Sequence, residues 1–275
     1  ERMKIVFLSL SLVLIGPLTS VAQVFQKSDI LLSYPQTESV RDDYSATGIA
    51  WGVLPIPPHW DIENQDHLNI FTQNVSTVSH EGRTFHARIE FDASWELFIK
   101  YCVRNGLNYT DYTCKSVNNQ NFEYPWFAGR TYNGGRPYWL SSHSAVFKDF
   151  LKYQIDKALL ADDLKVLMLD AQTSSALACR DQWSSGDFST ASMTAFTAWL
   201  QQESTTNNLS ALGIPDINTF DYRVFLKQHG VHTDTDYKNR VQQHVSNETP
   251  LPLYEEFRLF QNAAIRELTA ELITY

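Results

Sequence analysis

One segment constrains this chain more than any other: Leu164-Lys165-Val166-Leu167-Met168-Leu169, running into Asp170-Ala171-Gln172. A helical pattern precedes it, Ser144 to Leu160, with Val146, Phe147, Phe150, Leu151, Ile155 and Leu159 on one face. A second follows, from about Thr190 to Glu203. A continuous apolar strand between helices has no face to offer water, so it belongs in a parallel sheet covered on both sides. The expected class is α/β.

Other segments extend that expectation. Thr47 to Leu54 reads as a short buried strand, and Pro55-Ile56-Pro57-Pro58-His59-Trp60 as a rigid exit, since proline cannot continue a central strand. Thr84 to Asp92 alternates strictly. His86, Arg88, Glu90 and Asp92 share one face; Phe85, Ala87, Ile89 and Phe91 share the other. Such a strand either turns its polar face to water or lines a polar interior. Ser94 to Gly106 has helical spacing, with Trp95, Phe98, Ile99 and Cys102 on one face and Gly106 as a stop. A long aromatic loop, Asn108 to Tyr138, follows, and loops of that length in a compact domain are usually functional. Further helices are expected at Phe220 to His229 and Leu253 to Ile273; the last stripe is still running at Tyr275, as in a chain cut inside an element.

Met3-Lys4, the apolar run Ile5 to Ile15, Gly16-Pro17, and small residues up to Ala22 form the pattern of an export signal. Spanning a bilayer takes about 20 apolar residues, more than this run supplies. The expected organisation is a signal peptide at 1–22, a lead-in at 23–46, and the folded part at 47–275. A bacterial periplasmic or secreted protein is expected, with no membrane association once the signal is removed. Cys102 and Cys114 are close enough in sequence for a local disulfide, and three reduced, buried thiols fit equally.

The net charge of −9 argues against a groove that tracks phosphates, which excludes nucleic acid as the expected partner. Seven Trp, thirteen Tyr and sixteen Phe suit a protein that stacks on sugar rings. In parallel α/β folds chemistry collects at the C-terminal ends of strands. Asp170 caps the apolar strand, where partial burial can tune a carboxyl for general acid work. Glu90 and Asp92 end the alternating strand; Glu90 with Arg88 is either an internal ion pair or a substrate contact. His229, His232 and His244 with Asp234 and Asp236 match no metal-ligand spacing and read as a polar loop. HExxH, GxSxG, GxGxxG and CxxC are all missing from the sequence, and neither metal nor cofactor is expected.

The sequence Val166-Leu167-Met168-Leu169-Asp170-Ala171-Gln172, then Gly186-Asp187-Phe188-Ser189, then Met193 to Leu200 resembles a segment of (β/α)8 glycoside hydrolases. It is most similar to bacterial proteins related to family 42 β-galactosidases. Phe220-Asp221-Tyr222-Arg223 and Pro252 to Gln261 also resemble segments flanking the fourth helix of such barrels. The resemblance implies a TIM barrel, truncated after about the fourth βα unit, that hydrolyses glycosidic bonds of a poly- or oligosaccharide. It implies Asp170 as the acid/base and a nucleophile beyond Tyr275; Glu90, from its place at a strand end, is expected as a second catalytic carboxylate. Arg88, Asp92, Gln172, Trp126, Trp139 and Trp183 would contact substrate. Those barrels usually carry Asn-Glu or a paired acid where Ala171 follows Asp170, and the departure leaves an alternative: a non-catalytic carbohydrate-binding protein on a decayed barrel.

Overall fold

A computed structural model of the chain describes residues 11–13, 30–33, 38–50, 64–91, 94–123, 127, 129–170, 186–203, 209–211 and 213–275. They fall into two units: residues 1–94 with 151–171, and residues 95–150 with 172–275.

The first unit is built on a five-stranded sheet, ordered β1-β5-β4-β3-β2. Its strands are β1 (Ser11–Val13), β2 (Leu31–Ser33), β3 (Gly48–Ala50), β4 (Thr84–Glu90) and β5 (Val166–Asp170). Strands β2, β3, β4 and β5 are parallel and lie in chain order, so successive crossovers advance one strand at a time in the same direction. The parallel sheet expected from residues 164–169 is present, in a mixed α/β unit. β1 lies antiparallel on the free edge of β5, Ser11 opposite Leu169. This strand falls inside the stretch read as an export signal.

The first two crossovers carry α1 (Glu38–Asp43) and α2 (Gln65–His80). Asn64 caps α2, its side-chain oxygen accepting from Asp66 N–H at 2.9 Å. Val75 and Val78 are buried, and the Phe71 ring meets Phe85 of β4 edge-on at 5.9 Å. An ionic knot joins these elements. Glu81, just past α2, accepts from Arg41 Nε of α1 at 2.7 Å and from Arg83 Nη1 at 2.9 Å, while Arg83 Nε donates to Ala46 O at 3.0 Å. Hydrogen bonding to Arg41 holds the Glu81 carboxyl below its ordinary pKa, against the opposing push of burial.

Both faces of β4 are covered. Phe85, Ala87 and Ile89 are buried on one face; on the other, His86 and Glu90 are buried and Arg88 is largely so. The polar face therefore lines an interior and does not meet bulk water. His86 sits over Gly48 of β3, where an added Cβ would come within 2.8 Å of the imidazole Nε2. Glycine permits that approach.

The second unit is helical around an aromatic core. Its helices are α3 (Trp95–Arg104), the start of α4 (Ala145–Ala158), α5 (Thr190–Glu203), α6 (Tyr222–Gln228), α7 (Asp234–Val245) and α8 (Tyr254–Thr274). In α3 the expected Trp95, Phe98, Ile99 and Cys102 are buried, and Gly106 takes φ +66° just beyond it. Phe98 packs on Phe147 at 5.7 Å and Phe150 at 5.3 Å. Phe196 of α5 meets Phe257 and Phe260 of α8 at 5.1 Å each, and Tyr222 of α6 meets Phe257 at 5.0 Å.

Two expectations are corrected, and one question left open is answered. Residues 234–245, read as a polar loop, form α7, closed by a capping box between Thr233 and Asp236 and anchored by buried Tyr237 and Val241. Leu159, placed on the buried face of α4, lies beyond the helix end at Ala158 and is exposed. Of the two alternatives for Cys102 and Cys114, the structure has free thiols, both buried, and Cys114 Sγ lies 3.4 Å from Leu140 O. Among the described residues no helix is long and apolar enough to cross a membrane.

Candidate functional site

The C-terminal edge of the parallel sheet is where the expected chemistry should gather. β4 and β5 run in register from His86 opposite Val166 to Glu90 opposite Asp170. Two carboxylate-bearing positions thus end adjacent strands side by side, separated by the strand spacing of about 4.8 Å. Glu90 is buried, and Arg88 Nη2, two residues back on the same face, lies 3.0 Å from its Oε1. The hydroxyl of buried Ser94 donates to the Glu90 carbonyl, tightening the chain as it leaves the strand.

The other expected site residues are placed as follows. The backbone of Asp170 ends β5, while its side chain lies outside the described residues. Asp92, Gln172, Trp126 and Trp183 also lie outside them. Trp139 belongs to the second unit, where it is buried; it packs with Cys114, Phe122 and Phe127, and its backbone bonds to Cys114 and Phe122. That is a core position within the aromatic loop. Of the residues named from the sequence, the described structure brings together Glu90, Arg88 and the backbone position of Asp170.

Carboxylates and imidazoles of the second unit have other partners. Asp236 Oδ2 accepts from the backbone N–H groups of His232 and Thr233. His229 rests on the ring of Phe225 at 4.2 Å, and His244 Nδ1 accepts from Leu251 N–H at 3.0 Å. His143 stacks on Phe260 at 4.7 Å; burial, with the Lys148 charge adding to it, pushes its pKa down to about 4, so the ring is neutral near pH 7. Among the described residues no group of three or more His, Cys, Asp or Glu is placed to hold a metal ion.

Sequence reasoning missed one feature. α5 and residues 218–223 frame a cleft of about 330 Å³ that includes Asn218, Phe220, Asp221 and Arg223. Burial alone would raise the Asp221 carboxyl, but the hydrogen bonds and charge of Arg223 outweigh it and hold the pKa below its ordinary value. The usable signal was the Asp221-Tyr222-Arg223 helix start, an N-cap acid followed two residues later by a guanidinium.

No protein-family model matches the chain, and no solved structure matches it. Among curated proteins it is similar to an alpha-agarase of Thalassotalea agarivorans, 32% identical over 252 residues, covering 90% of this chain and 16% of the relative. It is also similar to an alpha-agarase of Alteromonas agarilytica, 30% identical over 257 residues, covering 90% of this chain and 17% of the relative. The chain therefore spans about a sixth of the length of the curated relatives it matches.

Proposed function

We propose that this chain is part of a glycoside hydrolase that degrades agar, with the strand-end carboxylates of its parallel sheet serving as acid/base groups. The observation that carries the reading is similarity to proteins named alpha-agarase along 90% of the chain. The pairing of Glu90 with Asp170 supports it, because glycosidic bond cleavage uses two carboxyl groups flanking one bond. In this scheme Asp170 protonates the departing glycosidic oxygen. Glu90, steadied by Arg88, faces the positive charge that builds on the anomeric carbon, and a water molecule bonds to that carbon, giving up its proton to one of the two carboxylates. Four parallel strands in chain order fit the first half of a (β/α)8 barrel, and the pattern of residues 166–200 supports a kinship with family 42-type barrels.

Residues 1–22 direct export to the bacterial periplasm or medium in this reading. Cleavage after Ala22 would remove β1 and leave the edge of β5 open, so the intact mass of the exported protein tests it.

Hydrolysis is tested by reducing-end release from agarose. Glu90→Gln and Asp170→Asn are each expected to lower kcat by about 10²-fold or more while the circular dichroism spectrum is kept. Hydrolysis unchanged in both variants removes the strand-end carboxylates from the mechanism. Agarose binding without hydrolysis by the wild-type chain moves the assignment to the non-catalytic carbohydrate-binding alternative.

A further inference from the structure

The cleft beside α5 belongs wholly to the second unit and has no part in the strand-end scheme. Met193, buried, closes its floor. Thr197 shapes the wall: its hydroxyl bonds to the carbonyls of Met193 at 3.0 Å and Phe220 at 3.1 Å, which fixes half-buried Phe220 beside the opening. Gln201 Nε2 donates to Asn218 Oδ1 at 3.3 Å, joining two exposed amides on the rim, with the hydroxyl of Thr194 alongside.

Charge decides what such a cleft can take. Arg223 grips Asp221 through Nε, at 3.1 and 3.2 Å to the two oxygens, and through Nη2 at 2.6 Å. Its Nη1 donates to Phe188 O at 3.2 Å. A free anion meets the Asp221 carboxylate, and a free cation meets the guanidinium, so neither gains a net charge partner. A hydroxyl, which donates and accepts at once, suits carboxylate, guanidinium, amide and threonine together. The ring of Phe220 offers an apolar surface to the C–H face of a sugar. The volume, about 330 Å³, lies at the small end of ligand pockets.

From this we infer that the α5–α6 cleft is a subsite for a neutral oligosaccharide, holding a short stretch of glycan by hydroxyl bonding and ring contact. The inference rests on the agar-degrading reading only in the choice of probe, a soluble tetrasaccharide cut from agarose.

Titration calorimetry with that tetrasaccharide tests it on four forms of the full chain. Ala198→Trp fills the cleft from an exposed position, and Gln201→Ala with Asn218→Ala strips its rim without touching the core. Each is expected to weaken binding about tenfold or more. Val103→Ser, at an exposed position of α3 that belongs to neither site, is expected to leave this binding unchanged. Affinity equal to wild type in both cleft variants overturns the inference, as does an equal loss of binding in Val103→Ser. Displacement of the sugar by 10 mM inorganic phosphate, a concentration of about that order being enough to fill a weak anion site, also overturns the neutral-ligand assignment. If wild type hydrolyses no agarose yet the tetrasaccharide still depends on the cleft residues, the hydrolase reading falls and the subsite stands.

Discussion

Asp187 is the most completely enclosed carboxyl group described, with none of its surface exposed, and its replacement has a calculable cost. Oδ2 accepts from Ser141 Oγ at 2.5 Å, and Oδ1 accepts from Ser189 N–H at 2.8 Å and Lys115 N–H at 3.3 Å. Its own N–H donates to Gln261 Oε1 at 2.9 Å, and Gln261 in turn donates to Ser192. Asp187→Ala orphans three donors at about 1–2 kcal/mol each, roughly 3–6 kcal/mol in all. For a protein of this size that lowers Tm by about 6–20 °C. Asp187→Asn keeps Oδ1 for the two backbone donors and offers Nδ2 to the Ser141 hydroxyl, so it should cost about 1 kcal/mol. Burial raises the Asp187 pKa despite its hydrogen bonds. Between the unfolded value, about 3.9, and the higher folded value, the native state holds the extra proton, so stability falls as pH rises. Wild type should therefore gain on Asp187→Asn as the pH drops from 7 towards 4. Thermal melts followed by circular dichroism, at pH values stepping down from neutrality towards the unfolded value of about 3.9, read both effects. Equal melting of the Ala and Asn variants, or a wild-type-to-Asn difference that is flat with pH, would refute the reasoning.

Two further outcomes follow from buried contacts. Burial pushes the Cys102 thiol up to about 12, so iodoacetamide near pH 8 should leave it unmodified in the native chain and alkylate it in guanidinium; rapid native labelling in peptide mass spectra would contradict that. In Gly48→Ala the new Cβ would stand 2.7 Å from Leu31 Cδ2 and 2.9 Å from the Thr84 carbonyl, which belongs to the neighbouring backbone and cannot swing away. A urea melt should show a loss of about 1–3 kcal/mol, and an unchanged midpoint would mean that β3 and β4 pack differently.

What the sequence made legible depended on how each element is stabilised. Helices with an apolar stripe were found close to their observed limits: α5 is Thr190–Glu203, and α8 is Tyr254–Thr274. α7 was missed because only Tyr237 and Val241 face inward, and its start is held by hydrogen bonds at Thr233 and Asp236, which leave no mark on hydropathy. The capping pattern Thr-x-x-Asp was readable there, and the histidines and acids around it drew attention elsewhere. α2 went unread for a similar reason, with only Val75 and Val78 fully buried in sixteen residues. For β4 the alternation was clear but could not distinguish water from a polar interior; that distinction came from the burial of His86 and Glu90. Trp139 shows the converse. A tryptophan in a polar, Gly-rich loop looks like a surface platform, yet the loop folds over it with Cys114, Phe122 and Phe127.

Three acids with little exposure also separate burial from chemistry. Asp187 has both oxygens engaged by groups of its own unit, and no approach is left for a substrate; its perturbed pKa reflects a structural staple. Asp221 caps α6, accepting from Arg223 N–H at 2.8 Å, and is locked to the same residue's guanidinium, so it can receive a hydroxyl but is poorly suited to giving up a proton near neutrality. Glu90 differs in position. It stands at the C-terminal end of a parallel strand, beside the end of β5, and Arg88 meets it from its own strand. In a parallel sheet that edge is where strand-end groups meet ligand. A shifted pKa alone would have selected Asp187; the proposed hydrolysis rests instead on the strand-end positions of Glu90 and Asp170, and it is their substitution, not that of Asp187, that tests it by separating loss of turnover from loss of fold.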